Sequence, residues 1–133
     1  MKKALLFARE LVTAAVTEGS TAVDATCGNG HDTVFLADLV GATGRVYAFD
    51  IQEQAITATK ERLMQHGLLE RAVLVHAGHE DSAKWPPAPL SAVMFNLGYL
   101  PGGDHSLVTT AENTVGALEI ATARLKPGEI ITL

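Results

Sequence analysis

The segment Asp24-Ala25-Thr26-Cys27-Gly28-Asn29-Gly30-His31-Asp32-Thr33 gathers groups suited to holding a ligand. Two glycines flank an asparagine, and acids stand on either side at Asp24 and Asp32. Glycine admits positive φ and lets a ligand approach the backbone closely. Asp50 ends the next apolar run, about 20 residues beyond the turn, where a carboxylate accepts hydrogen bonds from the ribose hydroxyls of an adenosine. A dinucleotide, a phosphate and S-adenosylmethionine are the candidate ligands. A dinucleotide turn runs G-x-G-x-x-G/A. Here it runs Gly28-Asn29-Gly30-His31-Asp32-Thr33, with threonine in the third place. Asp24 would repel a pyrophosphate and suit a positive amino group. S-adenosylmethionine carries an ammonium and a sulfonium and no phosphate, so the electrostatics favour it. The competing reading is structural: a strand–helix turn that contains glycine, beside a strand that ends in aspartate.

These residues need elements to position them. Leu5, Ala8, Val12, Ala15 and Val16 recur at helical spacing and predict one face of a helix ending near Gly19. Residues 21–26 (TAVDAT) read as a buried strand and 31–40 as a helix. Residues 45–50 read as a second strand, 53–67 as a second helix stopped by Gly67, and 72–77 as a third strand. The segment KWPPAP (84–89) excludes regular structure, because proline lacks the N–H and fixes φ. Residues 90–97 form a fourth strand. Leu107, Ala111, Thr114, Leu118, Ala121 and Leu125 mark a long helix with a core-facing stripe. Pro127-Gly128 ends it, and EIITL starts a fifth strand. Alternating strands and helices predict an α/β fold, a parallel sheet with helices on both faces. In such a sheet a ligand sits beyond the carboxyl ends of the strands, which is where the glycine turn falls.

Composition narrows the function. The chain has 133 residues, 47% of them apolar and 19% charged, which fits one globular domain over residues 1–133. The net charge of −5 gives no global field to draw in nucleic acid. The single cysteine, Cys27, excludes an internal disulfide and fits the reducing cytoplasm. It reads as a small residue in a tight turn rather than a nucleophile. No apolar run reaches the roughly 20 residues that span a bilayer, so no membrane role is expected. Arg9 and Glu10 interrupt the apolar start, against a signal peptide. No metal site is expected.

The order VDATCGNG, VYAFD, FNLGY resembles a class I S-adenosylmethionine-dependent methyltransferase, a Rossmann-like fold. More narrowly, DATCGNGHDTVFLA and NLGYLPGGD are similar to the small bacterial family labelled "putative rRNA methylase". The resemblance runs from Leu6 to the end of the chain. It implies N-methylation of the 5-aminomethyl group of (2-thio)uridine at the tRNA wobble position, with S-adenosylmethionine as methyl donor and tRNA as partner. It implies that Asp24, Gly28, Asn29 and Gly30 lie along the methionine moiety, joined by Asp32, and that Asp50 and Gln52 address ribose and adenine. His79, in GHED after the third strand, is placed against the adenine, with a partly exposed loop histidine as the competing reading. The family pattern continues past the fifth strand to a closing strand pair, so a missing C-terminal portion is expected. A methyltransferase for another RNA site or a small amine is the alternative enzyme. A nicotinamide-dependent oxidoreductase is disfavoured by Thr33, Asp24 and the Asn96–Tyr99 loop. A non-catalytic RNA- or protein-binding module on the same fold is the remaining alternative.

The segment NLGYLPGGDHS (96–106) supplies the candidate catalytic groups. Asn96 and Tyr99 resemble the Asn/Asp-Pro-Pro-Tyr pattern of amino-group methyltransferases, with Leu97 and Gly98 in place of the prolines. An amide oxygen can orient the target N–H, and an aromatic ring can stack on a base. An alkylamine resembles lysine, with a pKa of about 10.4, and has no free lone pair until it loses a proton. Asp104 is the candidate to hold or deprotonate it, with His105 nearby. Asn96 as a strand cap, Tyr99 as packing and Asp104 as a turn former are the competing readings. Basic residues are scattered, so no RNA-binding face emerges; a homodimer would pool them. Lys84-Trp85 could meet RNA, or Trp85 could pack beneath its loop.

Overall fold

A computed structural model describes residues 10, 12–78, 84–86 and 89–94, and the backbone of 125–132. Among the described residues, five strands form one parallel sheet: β1 (Thr21–Asp24), β2 (Arg45–Asp50), β3 (Ala72–His76), β4 (Leu90–Met94) and β5 (Leu125–Thr132). Their order is β3-β2-β1-β4-β5. Helix α1 (His31–Val40) joins β1 to β2, and α2 (Glu53–Gln65) leads through a short 3-10 turn (Leu69–Arg71) to β3. The chain winds outward from β1 to β3, then returns to the other side of β1 to begin β4. Strand order therefore reverses between β1 and β4, and the crevice at their carboxyl ends is where such sheets take ligands.

The two-residue period of the strands sorts side chains to two cores. On one face, Ala22, Val46, Ala92 and Met94 pack with Leu36, Ala37 and Val40 of α1 and Leu63 of α2. Val12 and Val16 join them, so the stripe expected for the first helix reaches the core, and residues 12–15 are helical. On the other face, Val23, Phe49 and Val93 pack with Trp85, and Leu90, at the start of β4, joins that cluster. The Trp85 ring lies 5.7 Å from that of Phe49, tilted by 35°, so this residue packs inward rather than offering a surface for RNA. The described helices lie on the first face. The helix expected over 107–125 falls, up to residue 124, outside the described residues, as do the start of the first helix and the end of the fourth strand.

Element ends correct the sequence reading in small ways. β1 stops at Asp24 rather than Thr26, because the chain begins to leave the ladder there: Ala25 N–H still reaches Met94 O, but Cys27 N–H crosses to Phe49 O. Helix α2 stops at Gln65 rather than Gly67. Gly67, with φ of 69°, donates its N–H to Met64 O, and Leu68 N–H donates to Leu63 O. This is a Schellman ending, which needs a residue tolerant of positive φ just past the helix. β3 stops at His76 rather than Ala77. The largest correction is at β5. Leu125 opens this strand instead of closing a helix. Leu90 pairs with Leu125 and Ala92 with Ile130, so Lys126–Glu129 lie opposite Ser91 alone. Pro127 has no N–H to give the ladder, and the strand absorbs it as an irregularity.

Candidate functional site

The turn from Cys27 to Gly30 leaves the carboxyl end of β1 and enters α1. Gly30 N–H donates to Cys27 O at 2.8 Å and closes it. Gly30 has φ of 89°, and a Cβ there would lie 2.9 Å from Thr59 Cα. This glycine therefore serves the close approach of the turn to α2, a reason different from ligand access alone. Helix α2 also ties down the turn's carbonyls. Thr59 Oγ1 donates to Gly28 O at 3.2 Å, and Arg62 Nε donates to Asn29 O at 2.8 Å. Asn29 itself is exposed at the rim.

From β2, Asp50 braces the same turn. Its Oδ2 accepts the Gly28 N–H at 3.1 Å, and its Oδ1 accepts the Gln52 N–H at 2.9 Å. Each oxygen keeps a second lone pair. Gln52 stands just before α2, almost fully buried, and its side-chain Oε1 has no hydrogen-bond partner. Beside it, Ile51 is 44% exposed, and its carbonyl lies 3.1 Å from His76 Nε2.

Asp24 ends β1 with no solvent exposure. Its Oδ2 accepts the Thr33 hydroxyl at 2.7 Å, while its Oδ1 has no partner. Burial pushes its carboxyl up to about 8; the Thr33 hydroxyl and the backbone N–H of Thr26 oppose the rise, and the nearby negative charges of Asp32 and Asp50 add to it. Once ionised, a buried carboxylate with a bare oxygen is complementary to a cation, and a cation beside it favours that ionisation. Asp32, in the first turn of α1, is partly exposed. Cys27 is buried, and desolvation, reinforced by Asp24, pushes its thiol up to about 12, so it is a poor nucleophile near neutral pH.

Asp24, Gly28, Asn29, Gly30, Asp32, Asp50 and Gln52 thus gather along one turn and the ends of β1 and β2. His79, Asn96, Tyr99 and Asp104 lie outside the described residues. Thr59 and Arg62 are positioning residues that the sequence reading missed. A signal for Thr59 was present: it interrupts the buried stripe Ala55–Thr59–Leu63, and a polar group at a core position needs a partner. Among the described residues no group of His, Cys, Asp and Glu could hold a metal ion, and no helix is long and apolar enough to cross a membrane.

A parallel sheet reversing beside a glycine turn, with acids ending its first two strands, is the architecture of the class I S-adenosylmethionine-dependent methyltransferases. Residues 46–133 match the model of the family described as "Putative rRNA methylase", and the chain belongs to that family. The chain is 41% identical over 142 residues to the chloroplastic tRNA (mnm(5)s(2)U34)-methyltransferase of Arabidopsis thaliana, covering 99% of this chain and 52% of the relative. It therefore spans about half the length of that relative. A "putative rRNA-methylase" from Clostridium thermocellum superposes with a TM-score of 0.93 at 49% identity, over 96% of this chain and 69% of that one. A "putative methyltransferase" from Streptococcus mutans, solved in complex with SAH, superposes with a TM-score of 0.88 at 37% identity, over 98% and 72%.

Proposed function

We propose that the protein binds S-adenosylmethionine at the glycine turn and N-methylates the 5-aminomethyl group of (2-thio)uridine at the wobble position of tRNA. The observation that carries the cofactor reading is the unpartnered Asp24 Oδ1, buried at the end of β1. A second bare acceptor, Gln52 Oε1, stands at the end of β2. The ligand best matched to this pair has a cation at one end and neutral donors at the other. S-adenosylmethionine has its ammonium at one end and ribose and adenine donors at the other. The residues fit it: Asp24 for the ammonium, Asp50 and Gln52 for the nucleoside. When bound, it supplies an electrophilic methyl group on sulfur.

The chain's own part is alignment and proton handling. Transfer forms an N–CH3 bond as the S–CH3 bond breaks, and the amine loses one proton. Asn96 orients the amine, Tyr99 stacks on the base, and Asp104 takes the proton. In-line placement supplies most of the acceleration. The choice of tRNA is supported by the identity to the Arabidopsis enzyme. A lone cysteine, with no second one to form an internal disulfide, suits a reducing compartment such as the cytoplasm. A homodimer would concentrate the scattered basic side chains for RNA.

The test is mass spectrometry of nucleosides from tRNA carrying 5-aminomethyl-2-thiouridine, after incubation with the protein and S-adenosylmethionine. The Arabidopsis enzyme runs alongside as a control. Gain of one methyl on that nucleoside is the expected result. Cofactor binding without gain, while the control reacts, assigns the fold another acceptor or a binding role. Binding of NADH in place of S-adenosylmethionine would overturn the cofactor reading itself.

A further inference from the structure

Resting on the cofactor reading above, we propose that Thr33 is a positioning residue for ligand selection: its hydroxyl holds Asp24 Oδ2 and leaves Oδ1 as the acceptor for a ligand ammonium. Thr33 occupies the place where a dinucleotide turn carries glycine or alanine, and it is fully buried in α1. A threonine in a helix ordinarily turns its hydroxyl back to a carbonyl three or four residues earlier. Here neither carbonyl takes it, and each accepts another donor. Gly30 O accepts the Val34 N–H at 2.9 Å, and Asn29 O accepts Arg62 Nε at 2.8 Å. The Thr33 hydroxyl goes instead to Asp24, at 2.7 Å, the shortest side-chain bond around the turn.

The arrangement has a chemical consequence. A freely rotating carboxyl could shed its burial cost by finding any neighbouring donor. Held by one oxygen, Asp24 keeps the other bare, and a bare buried oxygen favours a cation over a neutral donor. It also opposes a pyrophosphate, whose charge would meet those of Asp32 and Asp50 and would gain nothing from a neutral Asp24. Thr33 thereby acts on the ligand through Asp24 and makes no contact of its own.

Two probes separate this role from general support of the fold. S-adenosylhomocysteine carries the ammonium, whereas 5′-methylthioadenosine keeps the adenosine and the thioether but has no amino-acid end. Calorimetric titration of Thr33→Val, which removes the hydroxyl and keeps the shape, is expected to weaken S-adenosylhomocysteine binding about tenfold. Methylthioadenosine affinity should stay within about twofold. Thr33→Ser should restore the wild-type ratio, and Asp24→Asn should lose it by a separate route. An equal loss for both ligands, or none for either, overturns the role of Thr33 while leaving the cofactor reading in place. Failure of the wild-type chain to bind either ligand overturns both.

Discussion

The ends of β1 and β2 each present an aspartate to the same turn, and the two are partnered in opposite ways. Asp50 gives both oxygens to backbone N–H groups, those of Gly28 and Gln52. Asp24, more deeply buried, has one hydroxyl on one oxygen and nothing on the other. Helix α2 reinforces the satisfied side through Thr59 and Arg62. The turn therefore has a finished flank that fixes its shape and an unfinished flank with a bare acceptor. One carboxylate fixes geometry and the other is the one we propose selects the ligand, although the two acids look interchangeable as strand endings.

The finished flank should be the costlier one to disturb. Gly30→Ala combines positive φ with a Cβ forced against the α2 backbone. Urea unfolding should show a loss of about 3–4 kcal/mol, and a loss under 1 kcal/mol would mean that the turn can shift away from α2. Asp50→Ala leaves two N–H groups without their acceptor, at about 2–3 kcal/mol by the same assay. An unchanged midpoint would erase the contrast between the two acids.

Asp24 should behave differently, through pH. Its folded-state carboxyl is raised from 3.8 to about 8. Over that window the folded chain keeps a proton that the unfolded chain releases. Its contribution to stability is complete below about pH 4 and is lost as pH rises through about 8. Asp24→Asn removes the titration, so the mutant should gain on wild type steadily between pH 5 and 8, by on the order of 1 kcal/mol per pH unit. Parallel stability–pH curves for the two proteins would sink this account. Arg62→Ala, on a partly exposed side chain, is the mildest change. It should cost about 0.5 kcal/mol of stability; a loss above 2 kcal/mol would make Arg62 a principal support of the turn rather than an outer tie.

The sequence carried the frame because each step there was local. Apolar β-branched runs at 21–24, 45–50 and 90–94 gave the inner strands, and Gly67 marked the end of α2. The gathering of Asp24, the glycine turn and Asp50 followed from their places at strand ends. What stayed hidden was pairwise. Nothing in the spacing says that Thr33 would leave its own helix backbone for Asp24, or that Gly30 answers to Thr59 across the chain. The identity of threonine in the third glycine place was visible; its partner was not. Leu125 misled because its helical spacing from Leu118 and Ala121 fits a stripe as well as a strand opening, and the pairing with Leu90 decides it.

Trp85 has a consequence of another kind. It is the chain's one tryptophan, and it lies against Phe49, the residue just before Asp50, on the sheet face opposite the two helices. The protein thus carries a built-in optical probe. Its near-ultraviolet emission responds to the core behind the sheet and is blind to the one in front, so the loosening of that one half can be followed without attaching a dye.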